Sequence, residues 1–162
     1  MIAIGQAGLP IIARSELYET PCFPKGYGPD YVNAAVLVET DLRPEQILSV
    51  LHVIENDFQR ERAERWGARS LDLDLAAMGA QIEPDIATVQ SWIDLPLADQ
   101  KTMAPDRLIL PHPRLQDRAF VLIPLADIAP DWRHPILGKT VTEMLESLPE
   151  AEKAAIIRIQ RG

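Results

Sequence analysis

The chain has 162 residues, 47% of them hydrophobic and 25% charged, which fits one folded domain spanning 1–162 and excludes a largely disordered chain. Its net charge of −8 argues against a nonspecific nucleic-acid or membrane-surface binder, because either needs a basic face. A single cysteine, Cys22, rules out an internal disulfide framework and a cysteine zinc cage, and no segment approaches the ~20 apolar residues of a spanning helix, so a cytoplasmic protein is expected.

Met1–Ala7 reads as the tail of a helix capped by Gly8. Ile11–Tyr18 and Tyr31–Thr40 have the β-branched content and alternation of strands, separated by the loop TPCFPKGYGPD. Pro44 then opens a helix in which Ile47, Leu51, Ile54 and Phe58 recur at helical spacing, with an end expected near Gln59. Arg60–Ser70 is a charged connector, and Leu71–Met78 a third strand with its leucines on one face. Residues 79–105 are irregular, acidic and interrupted by proline, a long inserted loop. Leu108–Leu110 is a short extended piece. Ala119–Ile128 reads as a helix bent or restarted at Pro124. Val141–Leu148 and Ala151–Ile159 are the last helical segments, the final one within a C-terminal tail, 149–162. Strands and helices mix without regular βαβ alternation, so an α+β domain with an antiparallel or mixed sheet is expected.

The sharpest chemical pattern is RWGARSLDLDL. On a strand, residues two apart share a face at a separation of ~6.6–6.8 Å, so Asp72 and Asp74 point together while Leu71, Leu73 and Leu75 point away. Two carboxylates so placed suit magnesium, which keeps water and phosphate oxygens in its shell. The plainer alternative is an acidic, solvated strand face. Two arginine clusters favour the metal site. Arg60, Arg62, Arg65 and Arg69 crowd the connector before the aspartates, and Arg107, His112, Arg114 and Arg118 follow the long loop. Carboxylates for a metal plus guanidinium groups from two segments is the equipment of phosphoryl transfer, which is catalysed by positioning and charge neutralisation. Neither a GxxxxGK loop nor a GxGxxG turn is present. His52 and His134 read as structural or solvent-facing. Tyr18, Phe23, Tyr27 and Tyr31 gather in or beside one loop, near Asn33, as a small satellite core or as the floor of a pocket for a flat heterocycle.

With ETP in that loop, PDYVNAAV, RERAERWGARSLDLDL and LPHPRLQDRAFVLIPLADIAP in order, the chain resembles the 6-hydroxymethyl-7,8-dihydropterin pyrophosphokinase family of folate biosynthesis, from about Ala13 to about Leu148. The resemblance implies a ferredoxin-like α+β fold and transfer of pyrophosphate from MgATP to the pterin hydroxymethyl group, releasing AMP. It implies that Asp72 and Asp74 hold two magnesium ions. Thr20, Pro21, Phe23, Tyr31, Asn33 and Phe120 would bind the pterin, stacked between Tyr31 and Phe120. Glu55, Arg62, Arg65, Trp66, Arg69, Arg107, Ile109, His112, Pro113 and Arg118 would lie on the ATP side, with Arg62 and Arg69 also catalytic. A monomer acting on small molecules is expected. Members begin with a strand and a full helix, so the first strand and most of the first helix are expected to be missing here, about 25 residues. That loss would leave the strand of Asp72 and Asp74 without an inner neighbour. A non-catalytic pterin- or nucleotide-binding module is the alternative.

Overall fold

A computed structural model describes residues 1–21, 29–63 (backbone alone for 59–63), 71–96, 99 and 102–160. Cys22, Phe23, Tyr27, Arg65, Trp66 and Arg69, and the side chains of Arg60 and Arg62, lie outside the described residues.

Helix α1, Ile2–Gln6, ends as the glycine signal predicts. Gly8 takes φ +85°, the Gly8 N–H donates to Gly5 O and the Leu9 N–H to Ile4 O. These are the paired bonds of a Schellman turn, and Ile4 and Leu9 bury together beneath it. Each of the first two expected strands is divided. Strands β1 (Ile11–Arg14) and β4 (Val36–Val38) form one antiparallel pair, while β2 (Tyr18–Thr20) lies between β3 (Tyr31–Asn33) and β5 (Ile157–Arg158) in a second sheet. Ser15 makes the break: it is 3% exposed, its Oγ accepts the Ala35 N–H at 2.9 Å, and it donates to Glu16 O at 2.7 Å. A side chain therefore takes over the ladder for one step, and the chain passes from one sheet to the other.

Helix α2 runs Pro44–Ala63, past the expected stop at Gln59. Ile47, Leu51 and Ile54 face inward and join Ile4 and Leu9 in the first core, whereas Phe58 is 41% exposed and turns out of the apolar face. Leu71, Leu73, Leu75 and Met78 pack on this core. The 71–78 segment is extended but is not a strand: no ladder bond joins it to a neighbour among the described residues, although its alternation survives, leucines inward and aspartates outward. Its backbone is held instead by a side chain, since the Leu73 N–H donates to Glu55 Oε1 at 2.6 Å, and by Ala76 O, which accepts the His112 N–H at 2.8 Å.

The 79–105 segment is not irregular throughout. Helix α3, Ile86–Ile93, starts at Asp85, whose carboxylate accepts the Thr88 N–H at 2.9 Å, and buries Val89 completely. Leu110 pairs with Glu83 through both backbone bonds, the Glu83 N–H to Leu110 O at 2.9 Å and the reverse at 3.0 Å. A single 3-10 turn, Leu115–Asp117, leads into α4, Ala119–Ile128, which continues unbroken through the buried Pro124. Helix α5, Val141–Glu146, opens with a capping box between Thr140 and Glu143. Leu115, Leu122, Val141 and Met144 form the second core. The last expected helix is short: α6 is Glu150–Ala154, and Ile157–Arg158 becomes β5 by pairing with Tyr18 and Glu19 of β2, while just before that strand Leu17 O accepts the Ile159 N–H at 2.8 Å and Glu16 pairs with Arg158 at 3.0 Å. The whole is an α+β arrangement in which every described strand pair is antiparallel. No described helix is long and apolar enough to cross a membrane.

Candidate active site

The extended 71–78 segment, one face of α2, the end of the 79–105 insert and the turn before α4 enclose a cleft of about 860 Å³. Eight of the residues that the resemblance assigned line it: Glu55, Asp72, Asp74, Arg107, Ile109, His112, Pro113 and Arg118. The cleft walls also include His52, Trp92, Met103 and Arg114, none of which the resemblance assigned. Arg114 stood in the second basic cluster. Trp92 carried a weaker signal, an aspartate three residues before Thr88 followed by apolar Val89 and Trp92 at helical spacing.

Alternation brings Asp72 and Asp74 to the cleft. Leu71, Leu73 and Leu75 take the inward positions on α2, so the aspartates between them must face out. Glu55 fixes the register through Leu73, the residue between the two carboxylates. Among the described residues no three His, Cys, Asp or Glu side chains converge into a closed metal cage. Two hard carboxylate donors open to a cleft nevertheless fit magnesium, which needs only one or two protein carboxylates and fills its octahedron with water and substrate phosphate.

Opposite charge comes from the turn before α4. Burial lowers the His112 pKa below 6.5, the Asp74 carboxylate opposes that, and Arg118 and Arg114 add to the lowering. His112 is therefore neutral near pH 7. The Arg114 amide N–H donates to His112 Nδ1 at 3.1 Å, so the ring's proton sits on Nε2. Burial also lowers the Arg118 pKa, again opposed by Asp74, yet a guanidinium of this kind stays charged at any physiological pH. Arg107 is exposed and paired with Asp106 at 3.2 Å. Arg114 is 8% exposed, with Nη2 donating to Trp92 O at 3.1 Å and Nη1 at 3.6 Å from Asp117.

The residues expected for the heterocycle lie elsewhere. Thr20 and Tyr31 face each other across β2 and β3, the Asn33 amide donates to Thr20 Oγ1 at 2.7 Å, and Tyr31 is 56% exposed. Pro21 follows β2 half-buried. Phe120 begins α4 beneath the Arg118 guanidinium, 5.7 Å from ring centre to Cζ, so Arg118 bridges the cleft and the aromatic group. Tyr18 departs from the aromatic set: it is buried, and its hydroxyl donates to Asp127 at 2.8 Å. His52 is exposed on the rim. His134 is structural, fully buried, with Nδ1 accepting the Ile136 and Leu137 amides at 3.2 Å each.

Residues 2–130 match the family profile of 7,8-dihydro-6-hydroxymethylpterin-pyrophosphokinase. The chain belongs to that family. Three relatives named 2-amino-4-hydroxy-6-hydroxymethyldihydropteridine pyrophosphokinase agree. The protein of Synechocystis sp. is 37% identical over 142 residues, covering 88% of this chain and 62% of its own length. That of Methylorubrum extorquens is 39% identical over 142 residues, 87% of this chain and 75% of its own. That of Pseudomonas aeruginosa is 37% identical over 139 residues, 86% of this chain and 73% of its own. The reaction of the family is pyrophosphoryl transfer from ATP to hydroxymethyldihydropterin in folate biosynthesis.

Proposed function

We propose that this chain carries out the family's reaction, transferring pyrophosphate from MgATP to the hydroxymethyl group of 6-hydroxymethyl-7,8-dihydropterin in the cytoplasm, as a monomer. The observation that carries the proposal is the facing of Asp72 and Asp74 into a cleft also lined by His112, Arg107 and Arg118. Asp72 and Asp74 would hold two magnesium ions, which when bound neutralise the triphosphate and make its central phosphorus a better electrophile. His112 Nε2–H and the Arg118 guanidinium would donate to phosphate oxygens, where charge builds as the bond to the α-phosphate lengthens. The hydroxymethyl oxygen of the pterin forms a bond to the β-phosphorus, the bridge to the α-phosphate breaks, AMP leaves, and the hydroxyl proton passes to solvent.

Thr20, Pro21, Phe23, Tyr31, Asn33 and Phe120 are the proposed pterin group. The β2–β3 hairpin that carries most of them and the Arg118–Phe120 contact support that role, since one residue then touches both halves of the site. Glu55, Ile109, Pro113 and Arg107, together with Arg62, Arg65, Trp66 and Arg69 outside the described residues, complete the proposed ATP side. The test is AMP formation by the purified chain from MgATP and the hydroxymethyldihydropterin, and its loss in Asp72→Asn and Asp74→Asn. ATP and pterin binding with no AMP formed would mean a non-catalytic binding module instead.

A further inference from the structure

We propose that Asp127 is a positioning residue for the pterin: bound by the Tyr18 hydroxyl and the Glu16 amide, it sets the Phe120 end of α4 opposite the face of β2 and β3 that carries Thr20, Tyr31 and Asn33. This rests on the pyrophosphoryl-transfer reading above.

Strand register and helix period place the residues. Tyr18 pairs with Asn33 and Thr20 with Tyr31 across β2 and β3, and residues two apart on a strand share a face. All four therefore stand on one side of the strand pair, with Glu19 and Val32 on the other. Phe120 and Asp127 are about two turns apart on α4, which puts them on one face of that helix, about 10 Å from each other along its axis. Helix α4 packs against both β2 and β3. The Tyr18–Asp127 bond of 2.8 Å thus joins the face of the strands to the face of the helix that between them bear most of the proposed pterin group.

The composition of α4, AFVLIPLADI, makes a directional bond necessary. Asp127 is its one polar side chain, and apolar packing has no direction of its own, so the rest of the helix could turn or slide on the sheet at little cost. Asp127 stops it twice: Oδ2 accepts the Tyr18 hydroxyl at 2.8 Å and the Glu16 N–H at 3.1 Å. Tyr18 is 8% exposed, and burial first and Asp127 second raise its pKa above the ordinary tyrosine value, so its hydroxyl keeps the proton it donates. Asp127 itself is exposed and lies in the last turn of α4, where a negative charge meets the negative pole of the helix. Helix stability disfavours an acid there, so its role lies in the two bonds it makes to Glu16 and Tyr18.

Steady-state kinetics with each substrate varied in turn separate this role from plain support of the fold. Asp127→Ala is expected to raise KM for the pterin about fivefold, the worth of one ordinary hydrogen bond, with kcat and KM for ATP within about twofold of the parent. Asp127→Asn, whose amide oxygen can still accept both hydrogens, should recover most of that loss. Tyr18→Phe should raise KM for the pterin about threefold, and its combination with Asp127→Ala should be no worse than Asp127→Ala alone, because both changes act on one bond. Tyr18→Phe keeps the test open should Asp127→Ala not fold. A purely structural role would lower the active fraction and leave both KM values at the parental level, and that result in Asp127→Ala and Tyr18→Phe would overturn the proposal, as would an equal rise in KM for ATP. If the parent chain forms no AMP, the pyrophosphoryl-transfer reading fails separately, and calorimetric affinity for the pterin in the same variants decides the positioning role. A loss of about fivefold in Asp127→Ala would support it, and unchanged affinity would overturn it.

Discussion

Glu55 illustrates how much one side chain can organise. It lies on α2, 18 residues before Leu73 in sequence, and it accepts the Leu73 N–H at 2.6 Å. A hydrogen bond to a charged acceptor is worth about 1.5–3 kcal/mol, here spent on the residue between the two cleft carboxylates. Glu55→Ala is expected to cut kcat about tenfold or more by loosening Asp72 and Asp74, while Glu55→Gln, whose amide oxygen can still accept, should retain most of it. Equal activities in the two variants, measured as AMP formed per folded molecule, would remove Glu55 from this role. The alternation of Asp72 and Asp74 was legible in the sequence because side chains along an extended chain alternate whether or not a neighbour pairs with it. The Glu55–Leu73 bond was not, since nothing local marks a glutamate as the acceptor for an amide 18 residues on.

Among the elements, the strands depart most from their sequence patterns, and for an identifiable reason. Ile11–Tyr18 and Tyr31–Thr40 both read as single strands, yet each is split where Ser15 Oγ meets the Ala35 amide. Periodicity reports which face is buried and is blind to a hydroxyl that replaces a ladder bond. Ser15→Ala would leave that amide without a partner at a site where Ser15 is 3% exposed. The expected cost is about 1–3 kcal/mol, read as a lower denaturant midpoint with an unchanged slope. An unaltered midpoint would mean that the sheet switch does not depend on this bond. Helix α3 was missed because its apolar face is short and sits in a proline-rich, acidic stretch, where the Asp85 cap is easily taken for one more loop acid. The C-terminal strand was missed because Ile157 and Arg158 gain their extended form from β2 alone.

At the scale of the whole molecule, two histidines, His134 fully buried and His112 half-buried, couple stability to pH. Burial lowers the pKa of both His112 and His134 below 6.5, and in the unfolded chain each returns to about 6.5. Between the folded and unfolded values the unfolded state binds more protons, so stability is full above about pH 6.5 and falls as pH drops toward the folded values. Replacing His134 by Gln should flatten part of that fall in urea titrations at pH 7 and pH 5; an identical difference between the two pH values in parent and variant would contradict it. The same molecule carries a net charge of −8 overall, yet Arg107, Arg114 and Arg118 line the cleft where Asp72 and Asp74 face. Acidity of the chain and neutralisation of a triphosphate are therefore compatible, because these three guanidinium groups share one cleft.

The most direct test of the account is the rate of AMP formation from MgATP and hydroxymethyldihydropterin in the parent, Asp72→Asn and Asp74→Asn chains, at saturating substrate. The account predicts AMP formation that requires both substrates and falls by about 100-fold or more in each variant, the order of effect expected when a charge aimed at the transition state is removed. Near-parental turnover in either variant would contradict it.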